Sequence, residues 1–197
     1  MRVMMMVVLG AFFAIPSAAL GQSAEITSPA SAPAGSSSFF FTVRTQGLDS
    51  GEEFTKEVTL GIRVSCPEGG IDVVIKIDLG KKAFPDRGQM DRQTYDVSTA
   101  MVLAHLQGKL SGLQQARDGI LVAIGGRGSL EDQDPAIQLT LELTEAELKK
   151  VEETNAHLIT CIRDGFPAGS NVEIIAKVTR ANGDVLEDSE VVRVVPR

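Results

Sequence analysis

Two cysteines and two histidines are the residues of this chain best suited to redox chemistry or metal binding. Cys66 and Cys161 lie about 95 residues apart and belong to no Cys-x-x-Cys pair, so a thioredoxin-like activity has no support. His157 precedes Cys161 by four residues, which places both on one side of a helix, but a zinc site needs further ligands. In an oxidising compartment, an even number of cysteines favours a structural bridge. We therefore predict a Cys66–Cys161 disulfide and no metal site.

The segment 125–136, with the sequence GGRGSLEDQDPA, holds the other side chains that could bind a ligand. Its first residues follow a predicted strand, where phosphate-binding loops occur, but the spacing Gly-x-Gly-x-x-Gly and the pair Gly-Lys are absent. Its acidic residues could present oxygens to calcium, although the spacing of an EF-hand is missing. Arg127, Asp132 and Asp134 are therefore weak candidates for ligand binding, and we predict no catalytic residue and no cofactor.

Composition of the whole chain narrows the classes of function. The chain carries 19 Lys and Arg against 26 Asp and Glu, a net charge of −7, so we expect no binding to nucleic acid. No Gly-x-Ser-x-Gly elbow occurs, although a triad assembled in space would leave no such motif. Aromatic residues make up 5% of the chain and tryptophan is absent, which disfavours a carbohydrate cleft lined by aromatic platforms. An enzyme is thus the less favoured class.

Residues 1–21 have the three parts of a secretory signal peptide. Arg2 supplies the positive charge, Val3 to Ile15 form an apolar run, and Ala19-Leu20-Gly21 offers small side chains to a signal peptidase. The alternative is a retained anchor, but the run of about 13 residues falls short of the roughly 20 that a spanning helix needs. We expect cleavage before Gln22 and export to the periplasm or the extracellular space, with no membrane span in the mature chain.

Two segments follow the signal peptide. Residues 22–37 are rich in Ser, Ala, Pro and Gly, and this composition predicts a flexible tether. Residues 38–197 have the length of one ordinary domain, so we predict a single globular domain there.

Alternating apolar residues predict the strands. Residues 56–79 predict a hairpin, in which Val74 is the apolar exception to the alternation. Residues 172–179 and 184–195 predict a second hairpin, because Asn182-Gly183 is a strong two-residue turn signal. The remaining predicted strands are 38–46, 120–124 and 137–143.

Apolar stripes predict two helices. Four leucines recur at helical spacing in residues 97–117. Gly108 and Gly112 inside this helix cost about 1 kcal/mol each against alanine, which predicts either a close approach of another backbone or a weak helix. The second helix is predicted at 145–164, after a Thr-x-x-Glu capping box that begins at Thr144.

The order of these elements predicts the fold class. Residues 71–179 have the order β-α-β-β-α-β, which matches ferredoxin-like folds. We therefore predict an α+β fold with a mainly antiparallel sheet and two helices on one face. The alternative is an immunoglobulin-like β-sandwich, which export, many alternating strands and two distant cysteines favour. The absence of tryptophan and the well-marked second helix count against that alternative.

Two functional hypotheses follow. The first is an exported, non-enzymatic protein-interaction or structural module, whose strand edges could bind a protein partner by β-augmentation. The alternative is an exported hydrolase or small-ligand-binding protein with a site built from loops 80–93 and 125–136, because long polar loops often carry function.

Overall fold

The computed structural model describes residues 21–85, 89–125 and 134–197. Residues 1–20 of the expected signal peptide lie outside the described residues. The described chain forms eight strands and two helices. In chain order these are β1 (Ser23–Thr27), β2 (Ser31–Pro33), β3 (Ser38–Gln46), β4 (Glu53–Cys66), β5 (Gly69–Ala83), β6 (Asp91–Ser98), α1 (Thr99–Gly125), α2 (Pro135–Cys161), β7 (Asn171–Arg180) and β8 (Val185–Val195).

The strands form two sheets around a shared core. The smaller sheet is antiparallel with the order β1-β3-β6, and the larger has the order β2-β8-β7-β4-β5. Neighbours in the larger sheet are antiparallel except β2 and β8, which are parallel. Because one apolar cluster contains side chains of both sheets, the layers are sheet on sheet. The fold is thus α+β with antiparallel and mixed sheets, and an immunoglobulin-like strand order stays a prediction.

The side chains of β4 alternate between a buried and an exposed face of the larger sheet. Every second residue of β4 is buried, and the residues between them are more exposed. β7 repeats this pattern beside β4, and the predicted hairpin of residues 56–79 is confirmed by the β4–β5 pairing. The largest fully buried apolar side chains of these strands are Phe54, Leu60, Ile62 and Ile174.

The helices cover one end of this core. Val102 and Leu106 of α1 and Leu158 of α2 belong to the same apolar cluster as the two sheets. Cys161 at the end of α2 forms the predicted disulfide with Cys66 at the end of β4. The helices contact each other more extensively than either contacts the sheets. The helical hairpin is therefore fixed to the sheets mainly at this end.

The ferredoxin-like topology is not confirmed, because two of its predicted strands are helical. Residues 120–124 continue α1 and residues 137–143 belong to the first turns of α2, so no strand separates the helices in the described chain. Leu141 is buried whereas Leu139 and Leu143 are exposed. The alternating leucines therefore do not share a buried sheet face, and the buried residues of α2 follow one side of a helix.

α2 begins at Pro135 and not at the predicted capping box. The Asp134 carboxylate caps the helix by accepting the Ala136 N–H at 2.9 Å, and proline suits the first turn because it has no N–H to satisfy. Thr144 lies inside the helix, where its hydroxyl donates to the Thr140 carbonyl at 2.7 Å. The Asp-Pro pair is thus the start signal that the fold uses.

α1 extends beyond the predicted end at residue 117 to Gly125. No described atom outside the helix's own neighbouring backbone lies within 4 Å of a Cβ built on Gly108 or Gly112. Close approach of another backbone is therefore not the reason for these glycines within the described chain, and they leave α1 weaker than alanine would.

Residues 22–37 contain two short strands, which corrects the prediction of a flexible tether. β1 pairs antiparallel with β3, and β2 pairs parallel with β8. Ala24, Ile26 and Ala32 are buried in these strands. Three apolar side chains on the inner face thus dock a segment whose overall composition is typical of a linker.

Candidate functional site

β5 is an edge strand of the larger sheet. It pairs with β4 on one side, and no other strand of the described chain pairs with its second side. An edge strand presents unpaired backbone N–H and C=O groups that can receive another strand. The second side of β5 is therefore a candidate surface for pairing with a further strand.

Side chains in the N-terminal part of β5 alternate between the two faces of the sheet. Val73 and Ile75 point into the core and are buried, while Asp72, Val74 and Lys76 are exposed on the outer face. Val74 is 56% exposed. Its cross-strand partner on β4 is Gly61, which has no side chain to cover it. Within the described chain, an exposed apolar side chain thus lies on a strand edge with which no further strand pairs.

The C-terminal part of β5 is protected against further pairing. The register with β4 shifts between Asp78 and Lys81, and Lys82 follows directly. Bulges and lysines are features that keep an edge strand from pairing with another chain. Gly69–Ile77, by contrast, pairs with β4 in unbroken register and contains a single lysine. We refer to Gly69–Ile77 as the open edge.

The other strand edges in the described chain are shorter or more polar. β1 and β2 have only five and three residues. On β8, residues 187–190 read Glu-Asp-Ser-Glu, and the Asp188 carboxylate accepts the Ile26 N–H at 2.6 Å. On β6, the side-chain carbonyl of Gln93 accepts a hydrogen bond from Lys82 at 2.7 Å. Short length and charge both discourage edge pairing, so the open edge is the least protected of these strands.

A cleft of about 830 Å³ adjoins the N-terminal end of the open edge. It lies between the β4–β5 turn and the last turns of α2, and its wall includes the Cys66–Cys161 disulfide. His157 Nδ1 on α2 lies 2.9 Å from the Glu68 carboxylate in the turn. Both side chains are exposed, so this contact adds little to stability. The cleft could receive a side chain from a segment bound along β5.

Lys56 is a fully buried cation on the inner face of β4. Its ammonium group contacts the Asp91 carboxylate of β6, and the Nζ atom lies 5.9 Å from the centroid of the Phe54 ring. Burial lowers the pKa of Lys56, and the hydrogen bond that it donates to Asp91 acts in the opposite direction. Because this amine is inaccessible to a substrate, we assign the pair a structural role between the two sheets.

Two buried hydroxyl groups of the smaller sheet have no hydrogen-bond partner among the described residues. Thr45 lies opposite Asp91 in the β3–β6 register, and its buried hydroxyl has no hydrogen-bond partner among the described residues. The Tyr95 hydroxyl is also unpaired there, and its ring stacks on Phe41 with centroids 5.0 Å apart. Burial raises the pKa of Tyr95, so the phenol stays protonated at neutral pH.

The predicted ligand-binding residues are not assembled into a site by the described chain. Arg127 and Asp132 lie outside the described residues. Asp134 is described, and its carboxylate is engaged in capping α2. Both ends of the predicted loop 80–93 belong to strands, β5 and β6. A ligand site in these loops stays a prediction.

Sequence reasoning did not place the open edge or the Lys56–Asp91 pair among the site residues. Val74 interrupts the apolar alternation of its hairpin, and this exception was the available signal for an exposed edge. Lys56 is two residues from Val58, so the same alternation directs both side chains to one face. A lysine on the apolar face of a strand indicates a buried charge, which needs a partner of opposite charge.

Two further features are absent from the described chain. No three His, Cys, Asp or Glu side chains within it gather in a way that could hold a metal ion. None of its helices is long and apolar enough to cross a membrane.

Comparisons with known proteins give distant structural likenesses. No family model matches the chain, and no curated protein matches it. The sporulation control protein Spo0M from Bacillus subtilis is similar over 89% of this chain and 50% of its own, with 7% identity and a TM-score of 0.35. This chain thus spans half the length of the Spo0M chain. Superoxide reductase (neelaredoxin) from Ignicoccus hospitalis is similar over 87% of this chain and 79% of its own, with 9% identity and a TM-score of 0.33. Likenesses at this level identify neither a family nor a function.

Proposed function

We propose that this chain is an exported, non-enzymatic interaction module that binds an extended protein segment along the open edge of β5. The observation that carries this proposal is the second side of Gly69–Ile77, with which no strand of the described chain pairs, in a sheet whose other described edge is the three-residue β2. In β-augmentation, main-chain hydrogen bonds supply affinity and side-chain pockets supply specificity.

The backbone of the open edge can contribute affinity that does not depend on the partner's sequence. Each added ladder hydrogen bond is worth about 0.5–1.5 kcal/mol net of the water that it replaces. The exposed Val74 adds apolar area that a bound strand can cover. Together these terms favour an extended partner with an apolar residue opposite Val74.

The neighbouring cleft can contribute specificity. Gly69, Gly70 and Ile71 belong both to the open edge and to the lining of the cleft. A strand that follows β5 therefore reaches the cleft at its end and can place one side chain there. This continuity of edge and cleft matches the combination of backbone ladder and pocket that β-augmentation uses.

Export is proposed from the N-terminus and the disulfide together. The first residues have the organisation of a signal peptide, and the Cys66–Cys161 bridge fits an oxidising compartment. N-terminal sequencing of the protein from its native host should give Gln22 as the first residue. An intact Met1 on the purified protein would contradict cleavage.

Affinity purification from the native host tests the binding surface. The tagged protein is compared with Val74→Lys, which places an ammonium group beside the open edge, where lysine discourages pairing. Val191→Lys is the matched control, because Val191 is an exposed valine on the outer face of β8, separated from β5 by two strands. We expect V74K to lose a partner that V191K retains, with affinity reduced about tenfold or more, a change of about 1.4 kcal/mol. Equal retention by both variants would contradict the proposed surface.

A further inference from the structure

We infer that the open edge of β5 pairs antiparallel with the open edge of a second copy of this chain, about a two-fold axis through Val74. This inference rests on the proposed function, because it names the strand that the edge binds. Such a contact is isologous, since the same surface serves both subunits. It would join two five-stranded sheets into one continuous sheet.

Charge along the open edge is complementary to itself in this arrangement. A two-fold axis through Val74 pairs the two strands about this residue. A residue that precedes Val74 in one copy faces the residue that follows Val74 by the same number of positions in the other copy. Asp72 therefore lies opposite Lys76, and Lys76 lies opposite Asp72. These exposed side chains share the outer face of the sheet with Val74. Opposite charges in directly facing positions stabilise an antiparallel pair.

Apolar residues on the open edge also match. Val73 lies opposite Ile75, and Ile71 lies opposite Ile77, so the core-facing rows of the two copies continue into each other. At the axis, Val74 faces Val74 of the second copy. Because Val74 is exposed and its cross-strand partner Gly61 has no side chain, this contact gives the exposed valine an apolar neighbour.

Other registers lose this complementarity. Pairing that keeps the core face of both sheets on one side requires residues of equal parity to face each other. An axis through Val73 places Asp72 opposite Val74, and an axis through Ile75 places Asp72 opposite Asp78. An axis through Asp72 or Lys76 makes that charge face itself. The axis through Val74 therefore pairs both charges of the segment.

The existing partner of Asp72 does not oppose this pairing. Arg63 Nη1 lies 3.9 Å from the Asp72 carboxylate, and both side chains are more than half exposed. Exposed ion pairs of this kind contribute little. The Asp72 carboxylate can therefore turn towards a lysine across the new interface at small cost.

Charge reversal combined with analytical ultracentrifugation tests the pairing on the purified protein with its disulfide intact. The wild type should sediment as a dimer that dissociates on dilution. D72K and K76D should each weaken the dimer about tenfold or more, because like charges then face each other. The double variant D72K/K76D should restore it, and so should an equimolar mixture of the two single variants. Lys149→Asp, on the exposed side of α2, is the net-charge control for K76D and should dimerise like the wild type.

A single cysteine at the axis gives an independent readout. Facing residues of an antiparallel pair have Cα atoms about 4.5–5.5 Å apart, which suits a disulfide. Because both native cysteines are bridged, V74C adds the sole free thiol and should form a covalent dimer on mild oxidation. V191C, the matched control, should stay largely monomeric.

Distinct outcomes separate this inference from the proposed function. A wild-type monomer at all concentrations, together with a host protein that V74K no longer captures, would overturn the self-pairing and leave the proposed function in place. A dimer that both single charge reversals leave unchanged would place the contact elsewhere and also overturn it. A monomer whose capture of host proteins is unaffected by V74K would contradict both.

Discussion

The two ends of the sheet pair are stabilised by different means. At one end, Cys66 of β4 is bridged to Cys161, and α1 and α2 cover an apolar core. At the other end, Phe54 near the start of β4 packs in a separate small cluster, with its ring centroid 6.2 Å from that of Phe84. Charged groups join the sheets there, with Lys56 against Asp91.

β4 runs between these two ends, so its first residues and its last residue take part in different kinds of stabilising interaction. The helical end combines apolar burial with a covalent link, both of which are insensitive to the charge state of side chains. The opposite end depends on ion pairs, including Arg180 Nε at 2.6 Å from the Glu52 carboxylate. The hydrogen bond from Arg180 lowers the pKa of Glu52. The helical end should therefore respond to reductants, and the opposite end to pH and to loss of single charges.

Removing the disulfide should have the largest effect. The bridge closes a loop between residues 95 apart in sequence, and the chain-entropy relation gives about 4–5 kcal/mol for such a loop. We expect Cys66→Ser/Cys161→Ser to lower the free energy of unfolding by this amount, measured by urea denaturation. Wild type reduced with dithiothreitol is the control and should match the variant. A loss below about 1 kcal/mol would show that the helical end does not depend on the bridge.

Removing the buried cation should have the next largest effect. Lys56→Met keeps the side-chain length but leaves the Asp91 carboxylate without its partner. Loss of one partner from a buried pair costs about 3–5 kcal/mol, and we expect the lower end because the Asp91 side chain is 20% exposed. Urea denaturation should show recovery in K56M/D91N, where no charge remains. If K56M is as stable as the wild type, the pair does not hold this end together.

The pH dependence of stability should identify Lys56 independently. Its pKa is lowered in the folded protein, whereas an unfolded lysine titrates near 10.4. Between these two values the unfolded chain holds one more proton, so the free energy of unfolding gains a contribution that rises with pH. Tyr95 acts in the opposite direction above about pH 10, because its pKa is raised in the folded state. As the pH rises towards about 10.4, the wild type should therefore gain stability relative to K56M, and parallel curves would contradict the shift.

Two glycines at the two ends allow a matched comparison. Gly165, after α2, has a φ of +100°, and a Cβ there would overlap the Gly35 backbone. Gly183, in the β7–β8 turn, has a φ of +90° with no described neighbour within 4 Å. We expect G183A to cost about 1–2 kcal/mol from backbone strain alone. G165A should cost about 1–3 kcal/mol more, because of the overlap. Equal melting-curve shifts would show that the helical end can relax around the added methyl group.

Local patterns account for the parts of the fold that the sequence predicts correctly. The β4–β5 hairpin follows from alternation over residues 56–79, and the β7–β8 hairpin follows from Asn182-Gly183. The disulfide follows from the cysteine count and the expected compartment. Each of these features depends on neighbouring residues or on composition, so no knowledge of distant pairing is needed.

Distant pairing accounts for most of what the sequence does not predict. The division of strands into two sheets, and the position of β5 at an edge, depend on which strands meet across the chain. The leucines of 137–143 fit a strand or a helix by local pattern, and the capped start at Asp134 and Pro135 decides for the helix. Val74 and Lys56 each depart from the alternation of their strands. In the structure Val74 is an exposed apolar side chain on an edge strand, and Lys56 is a buried charge.

The smallest predicted effect concerns the two glycines inside α1. Gly108 lies inside α1 with no described atom placed to contact an added Cβ. Gly108→Ala should therefore raise the free energy of unfolding by up to about 1 kcal/mol, measured by urea denaturation, and G112A should behave alike. A loss of stability in both variants that grows with protein concentration would mean that a partner backbone packs against these glycines. That result would move the self-contact from the open edge of β5 to α1.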